Sequence, residues 1–183
     1  KEQAEEFSKL LALLVMALEE KHQDFLGQVY MQLNLGNVAN GQFFTPYNVS
    51  KMMSKICFVD IEKQLEEKDF ITLSEPCCGS GGMIIAYAET LKEHGYNYQY
   101  QLFVEAIDID EMCFMMAYIQ LSLLGVGAKV IHGDSLTLNF HKVLYTPFYF
   151  VNGVGWKLKL QNKASNNELP QNVNNKQLTL FNF

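Results

Sequence analysis

The stretch Leu73-Ser74-Glu75-Pro76-Cys77-Cys78-Gly79-Ser80-Gly81-Gly82-Met83 constrains this chain more than any other. An apolar run with β-branched residues, Phe70-Ile71-Thr72-Leu73, leads into it, and a helix-like apolar run, Met83 to Ala88, leaves it. Strand, tight glycine turn and helix start in succession make a cradle for a nucleotide-like ligand. Glycine lets backbone N–H groups approach with no Cβ in the way, and the first turn of a helix carries unpaired donors. The spacing is not Gly-x-Gly-x-x-Gly, and no Lys-Ser/Thr follows, so neither a dinucleotide fingerprint nor a P-loop is present.

A chain of 183 residues suits one compact domain with a proper core. Its formal net charge of −6 argues against a strongly basic, sequence-blind DNA binder, but a local basic face or a basic partner remains compatible with it. The four cysteines, Cys57, Cys77, Cys78 and Cys113, form no Cys-x-x-Cys pair and no Cys/His spacing that suits zinc. Reduced thiols and a cytoplasmic location are expected, with no metal. No apolar run reaches transmembrane length, and the acidic, amphipathic N-terminus is not signal-like, so no membrane association is expected.

In chain order, Ala4 to Lys21 reads as an amphipathic helix with Phe7, Leu10, Leu11, Leu14 and Leu18 at helical spacing. Asp24 is placed to cap a second helix through Phe25, Val29, Tyr30 and Leu33. Both helices read as packing elements, with presentation of a face to a partner subunit as the alternative. Gly36 to Gly41 is loop material. Thr45 as cap and Pro46 at the first helical position start a helix through Val49, Met52, Met53 and Ile56. The helix after the glycine turn runs to His94, where Gly95 stops it. Tyr98 to Ile107 reads as the second strand, Glu111 to Leu124 as a Met-rich helix capped by Asp110, Lys129 to His132 as the third strand and Phe140 to Leu144 as the fourth. His132 reads as a strand-end residue, and Met115-Met116 as core filling.

Acid-Pro-x-Cys-Gly-Ser-Gly-Gly at Glu75 to Gly82 resembles the cofactor loop of N6-adenine DNA methyltransferases, above all the modification subunits of type I restriction systems. Three further segments resemble the same family in the same order: Gly41-Gln42-Phe43-Phe44-Thr45-Pro46, Ala106-Ile107-Asp108-Ile109-Asp110 and Gly133-Asp134-Ser135-Leu136. The resemblance implies an α/β, Rossmann-like S-adenosylmethionine-dependent methyltransferase fold. It implies an abbreviated parallel sheet in the order 3-2-1-4 with helices at the N-terminus. Phe43, Phe44 and Thr45 would cover the methionine end of the cofactor. Glu75 would sit near its amino group, within a loop of Pro76, Cys77, Gly79 and Gly81. Asp108 would accept from the ribose hydroxyls, Ile109 would lie against the adenine, and Asp134 and Ser135 would meet the adenine edge. An acid at a strand end suits the ribose because its two oxygens accept from both hydroxyls.

In that family the fourth strand delivers Asn-Pro-Pro-Tyr or Asn-Pro-Pro-Phe. Its Asn oxygen and the next carbonyl accept from the target amine, and its aromatic residue stacks on a flipped base. This chain has Tyr145-Thr146-Pro147-Phe148 there. Phe148 keeps the stacking ring and Thr146 a carbonyl, but the asparagine is gone. The resemblance implies a DNA partner with an adenine target and a separate specificity subunit. Gln177-Leu178-Thr179-Leu180-Phe181 resembles the peptide that docks bacterial polymerases and repair proteins on the sliding clamp; a terminal strand or packed tail is the other reading. The expected divisions are 1–60, helical with the Gln-Phe-Phe-Thr-Pro motif; 61–155, the methyltransferase core; and 156–183, a flexible tail. Three readings stand: an adenine N6-methyltransferase with an altered acceptor motif, a non-catalytic cofactor-binding or partner-docking module, or a relic with an empty pocket.

Overall fold

A computed structural model of the chain describes residues 2–33, 43–151 and 153. The loop at Gly36 to Gly41, Gln42, Asn152 and the segments read at Gly155 to Lys163, Ser165 to Lys176 and Gln177 to Phe181 lie outside the described residues. The element order is α1 (Glu2–Glu20), α2 (Phe25–Gln32), α3 (Tyr47–Ile56), α4 (Ile61–Lys68), β1 (Ile71–Glu75), α5 (Gly82–Glu93), α6 (Tyr98–Gln101), β2 (Leu102–Asp108), α7 (Glu111–Leu123), β3 (Gly127–Asp134), β4 (Asn139–Tyr145) and α8 (Pro147–Val151). The result is a mixed α/β, Rossmann-like fold.

β1, β2 and β3 are parallel neighbours, with Ile71 opposite Leu102 and Phe103 opposite Gly127 at their amino ends. Leu102, Val104 and Ala106 of β2 point into the main core, where Ile84, Ile85, Ala88 and Leu91 of α5 and Phe114, Ala117 and Leu121 of α7 are also buried. α5 carries apolar residues on most of its circumference because α3 covers its far side. There Ser54 Oγ meets Thr90 Oγ1 at 2.7 Å, and Lys51 pairs with Glu89 at 2.8 Å. Phe103 points the other way and joins Phe70 and Tyr149 in a second cluster. On α1, Leu14 and Leu18 are buried, while Phe7, Leu10, Leu13 and Met16 remain exposed.

The fourth strand departs from the expected order. The sheet runs β1-β2-β3-β4, and β4 is antiparallel to β3, with Asp134 opposite Asn139 and Lys129 opposite Tyr145. The 3-2-1 portion of the expected order is present, but β4 does not lie beside β1. The connection explains it. Only Ser135 to Leu138 join β3 to β4, and a parallel neighbour needs a crossover of roughly a dozen residues. Asp134 Oδ1 accepts from Leu136 N at 2.8 Å and from Thr137 N at 3.2 Å, which turns the chain back on itself. Gly133 sits at the resulting bulge, where a Cβ would come within 2.8 Å of Phe140 Cα.

Two smaller expectations also change. Thr45 does not cap α3: the N-cap is Pro46, and no side chain caps the helix. The run from Tyr98 is not all strand. Asn97 caps the short helix α6, and β2 begins at Leu102. Asp24 and Asp110 cap α2 and α7 as the sequence indicates, accepting from Gly27 N and Cys113 N at 3.0 Å each.

Candidate functional site

The three parallel strands have their carboxyl ends on one side of the sheet, at Glu75, Asp108 and Asp134, and each runs two residues past the end of the strand before it: Glu75 pairs with Ala106 and Asp108 with His132. Carboxyl ends of parallel strands are where open α/β sheets bind ligands, because the loops there splay apart. The turn after β1 is shaped by two glycines in the left-handed region, Gly79 at φ 55° and Gly81 at φ 93°. Gly79 has a second reason to lack a side chain: a Cβ would stand 3.2 Å from the Phe44 ring. The turn is pinned to β2 twice. Cys78 N donates to Ile107 O at 2.9 Å, and Gly79 N donates to Asp108 Oδ2 at 2.7 Å. Asp108 Oδ1 accepts from Asp110 N at 2.9 Å, so each carboxylate oxygen takes one backbone donor and keeps a lone pair free.

Glu75 Oε1 accepts from Cys77 N at 3.3 Å. Burial pushes the Glu75 carboxyl above the ordinary glutamate range; the Cys77 N–H opposes this, and the nearby Asp108 adds to it. Asp134 lies across the strand ends, and its carboxyl is held below the ordinary range, first by the Leu136 N–H and then by Thr137. Ile109 is exposed and Ser135 half-buried. Burial pushes the Cys78 thiol well up, so it is a packed, unreactive neighbour of the turn.

Phe43, Phe44 and Thr45 close on the same turn. Phe44 packs on Tyr30 at 5.4 Å between ring centroids, while Phe43 is 71% exposed. Together with Cys77, Cys78, Gly79, Ser80, Gly82 and Met83 they line a cavity of about 100 Å³, whose floor also includes Asp24 and Ser50. Glu75 and Pro76 are not in that lining.

Sequence reasoning missed the support beneath the glycine turn. Asp24 caps α2 and is also buried at 5% exposure. Its Oδ2 accepts from Ser80 Oγ at 2.5 Å, and its Oδ1 from Gln120 Nε2 at 2.9 Å. Gln120 also donates to Ser80 O at 2.8 Å, while its oxygen accepts from Leu26 N at 3.0 Å. One buried knot thus ties α2, the glycine turn and α7 together. The available signals were Asp24 and Gly27 three residues apart and a lone Gln in the apolar helix Glu111–Leu123. Gly27 lacks a Cβ because one would collide with the Asp24 carboxylate and Ser80 Oγ.

The segment expected to hold the target amine is elsewhere. Because β4 is antiparallel, Tyr145 stands opposite Lys129, roughly 16 Å along β3 from Asp134, at the amino end of the sheet. Thr146 is fully buried. Its hydroxyl donates to Val126 O at 2.6 Å and accepts from Ala128 N at 2.9 Å, and its carbonyl accepts from Tyr149 N at 3.1 Å. Pro147 opens α8, as proline does at a first helical position. The Tyr145 ring packs on Tyr149 at 4.5 Å, and the Phe148 ring lies edge-on to Tyr100 at 6.4 Å. Tyr145, Thr146, Pro147 and Phe148 therefore anchor the hairpin rather than line the cavity.

Among the described residues, no three His, Cys, Asp or Glu side chains gather as a metal site, all four cysteines are free, and no helix is long and apolar enough to cross a membrane. No curated protein and no solved structure matches the chain. A family model described as N-6 DNA methylase matches residues 21–179, from just before α2 to beyond α8. With most of its length matched in this way, the chain belongs to the N-6 DNA methylase family.

Proposed function

We propose that this chain binds S-adenosylmethionine at the carboxyl ends of β1, β2 and β3, as the cofactor-holding part of an adenine N6 DNA methyltransferase. The observation that carries the reading is the Gly79–Asp108 clamp. It fixes a glycine turn, a helix start and a ribose-competent carboxylate within one crevice. The donor set fits such a ligand. Asp108 keeps a free lone pair on each oxygen, and exposed Ile109 offers an apolar surface for a purine. Asp134 Oδ1 is engaged in its own turn, and the carboxylate retains acceptor capacity for an exocyclic amine. The cavity of about 100 Å³ is smaller than a typical small-molecule pocket, so it takes one end of an elongated ligand and leaves the nucleoside along the open strand ends.

When bound, the cofactor supplies an electrophilic methyl group. Methyl transfer further requires acceptors for the target amine, and the Tyr145 to Phe148 segment stands at the opposite end of the sheet. That placement favours a second reading, in which this stretch of chain holds cofactor and another part of the assembly presents the adenine. DNA, a specificity subunit and a sliding clamp reached through Gln177 to Phe181 are the proposed partners, in a restriction-modification setting in the cytoplasm. Calorimetric titration with S-adenosylmethionine and its demethylated product tests the cofactor reading; no heat and no rise in Tm with either overturns it. Incubation with labelled cofactor and mixed DNA separates the two readings, since transfer of label by the chain alone rejects the second.

A further inference from the structure

α1 is docked by its last turns alone. Leu14 and Leu18 are buried, but residues 3–13 are all exposed, a length of about 16 Å. A helical stretch of this length with nothing packed on it is marginal in water, because its nucleus is costly and propensity adds little. Phe7, Leu10, Leu13 and Met16 are 70%, 64%, 58% and 64% exposed. They recur at every third position, one of the ridges by which a helix packs into the grooves of another. The ridge runs into an open hollow of about 680 Å³, where Leu13, Met16 and Ala17 meet Phe25 of α2, with Glu19 and Glu20 also in the lining. Contiguous apolar surface rimmed by charge marks a contact face.

The charges beside the ridge select its occupant. α1 carries Glu5, Glu6, Glu19 and Glu20 against the single lysine Lys9, which Glu6 already holds at 2.8 Å. Among the described residues no cation pairs with Glu5, Glu19 or Glu20. Glu19 and Glu20 also close the helix, where the negative end of its dipole disfavours acids, and no basic residue stands in that turn. A second copy would bring the same glutamates against these. A phosphate backbone or an anionic lipid surface would be repelled. An apolar helix edged with lysine or arginine meets the ridge and the glutamates together. We infer that α1 is a docking arm for an amphipathic basic helix of another protein, seated on Phe7, Leu10, Leu13 and Met16 with its cations toward Glu19 and Glu20. This surface is independent of the cofactor site.

The test is calorimetric titration of the full chain with a helical peptide of leucine and lysine about 18 residues long, its leucines on one face. A Kd on the order of 10 μM is expected, weakening as salt is raised. The same peptide with glutamate for lysine, and one of scrambled order, should bind at least about tenfold more weakly. Phe7→Ser with Leu10→Ser should weaken the leucine–lysine peptide by about tenfold or more. Glu19→Gln with Glu20→Gln should weaken it by about three- to tenfold and flatten the salt dependence. Leu123→Ser, at an exposed apolar residue of α7, should change nothing. Bound peptide should slow hydrogen exchange in the exposed part of α1. No binding, equal binding of the glutamate or scrambled peptide, or indifference to either α1 double variant overturns the proposal. Two further results do the same. Slow exchange there in the free chain means that the chain itself already covers the ridge. A dimer in sedimentation that Phe7→Ser with Leu10→Ser dissociates makes a second copy the occupant.

Discussion

Gly79 N donates to Asp108 Oδ2 at 2.7 Å, joining the turn after β1 to the last residue of β2. A charged acceptor makes this one of the stronger bonds at the strand ends. Asp108→Asn removes the charge and puts an amide donor where two backbone donors converge. It should cost about 1.5–3 kcal/mol in chemical denaturation and weaken S-adenosylmethionine binding in the same preparation. Unchanged stability would show that the clamp is not what shapes the turn.

Gly79→Ala should be worse than its one added methyl suggests. The φ of 55° itself disfavours any other residue by about 1–2 kcal/mol, and the new Cβ presses on Phe44. Loss of stability together with loss of cofactor binding is the expected outcome by denaturation and calorimetry. Gly95→Ala is the control, since Gly95 shares a positive φ of 85° with open space around it. It should reproduce only the part of the stability loss that the positive φ causes, and leave binding intact.

Gln120→Leu tests the buried knot. The substitution keeps volume but strips Asp24 Oδ1, Ser80 O and Leu26 N of a partner in the interior. About 2–4 kcal/mol of stability should be lost, because unsatisfied buried groups carry their full desolvation penalty. A neutral result by denaturant titration would mean the knot is dispensable.

Tyr145→Asn restores the residue that the family carries, without moving the segment. Labelled-methyl assays on DNA should show no gain over the parent chain, because position 145 faces the amino end of the sheet, opposite Lys129. Appearance of transfer would contradict the hairpin described above.

Glu75→Gln tests the effect of burial on the Glu75 carboxyl. Its pKa in the folded chain lies above the unfolded value, so the folded state holds the proton more tightly. Stability contributed by the neutral form is complete below the ordinary glutamate value and is lost as pH rises through the raised one. The variant should therefore melt higher than the parent at pH 7, and the gap should close as pH falls below the ordinary glutamate range. A gap that stays constant with pH would remove burial of this carboxyl as its cause.

The strand-turn-helix core was readable because its signals are local. An apolar run, paired glycines and an apolar helix lie within twenty residues of each other, and Asp24 and Asp110 announce their helices by spacing alone. The position of the fourth strand follows from the length of its connection and not from the likeness of the motif that ends it. Residues 133–139, the gap that the sequence itself leaves between the two strands, are too few to carry the chain back across β2 to the free side of β1, and the structure shortens the connection to Ser135 to Leu138. Thr45-Pro46 reads as a cap by type, yet the helix begins one residue later with no side-chain cap. The Asp24–Ser80–Gln120 knot was not legible, because its bonds join positions 56 and 96 residues apart and no periodicity reports such pairings.

Those long separations give the pocket a distinctive fragility. Its floor comes from the second helix, its wall from the turn after the first strand and its brace from a helix near residue 120, so no short piece of chain can hold it alone. Undocking of the first 33 residues would dismantle it while the strands stayed paired. Hydrogen exchange should therefore show the amides of Gly27 and Leu26 opening well before those of Val104 and Val130, and a bound nucleoside should slow the first pair far more than the second.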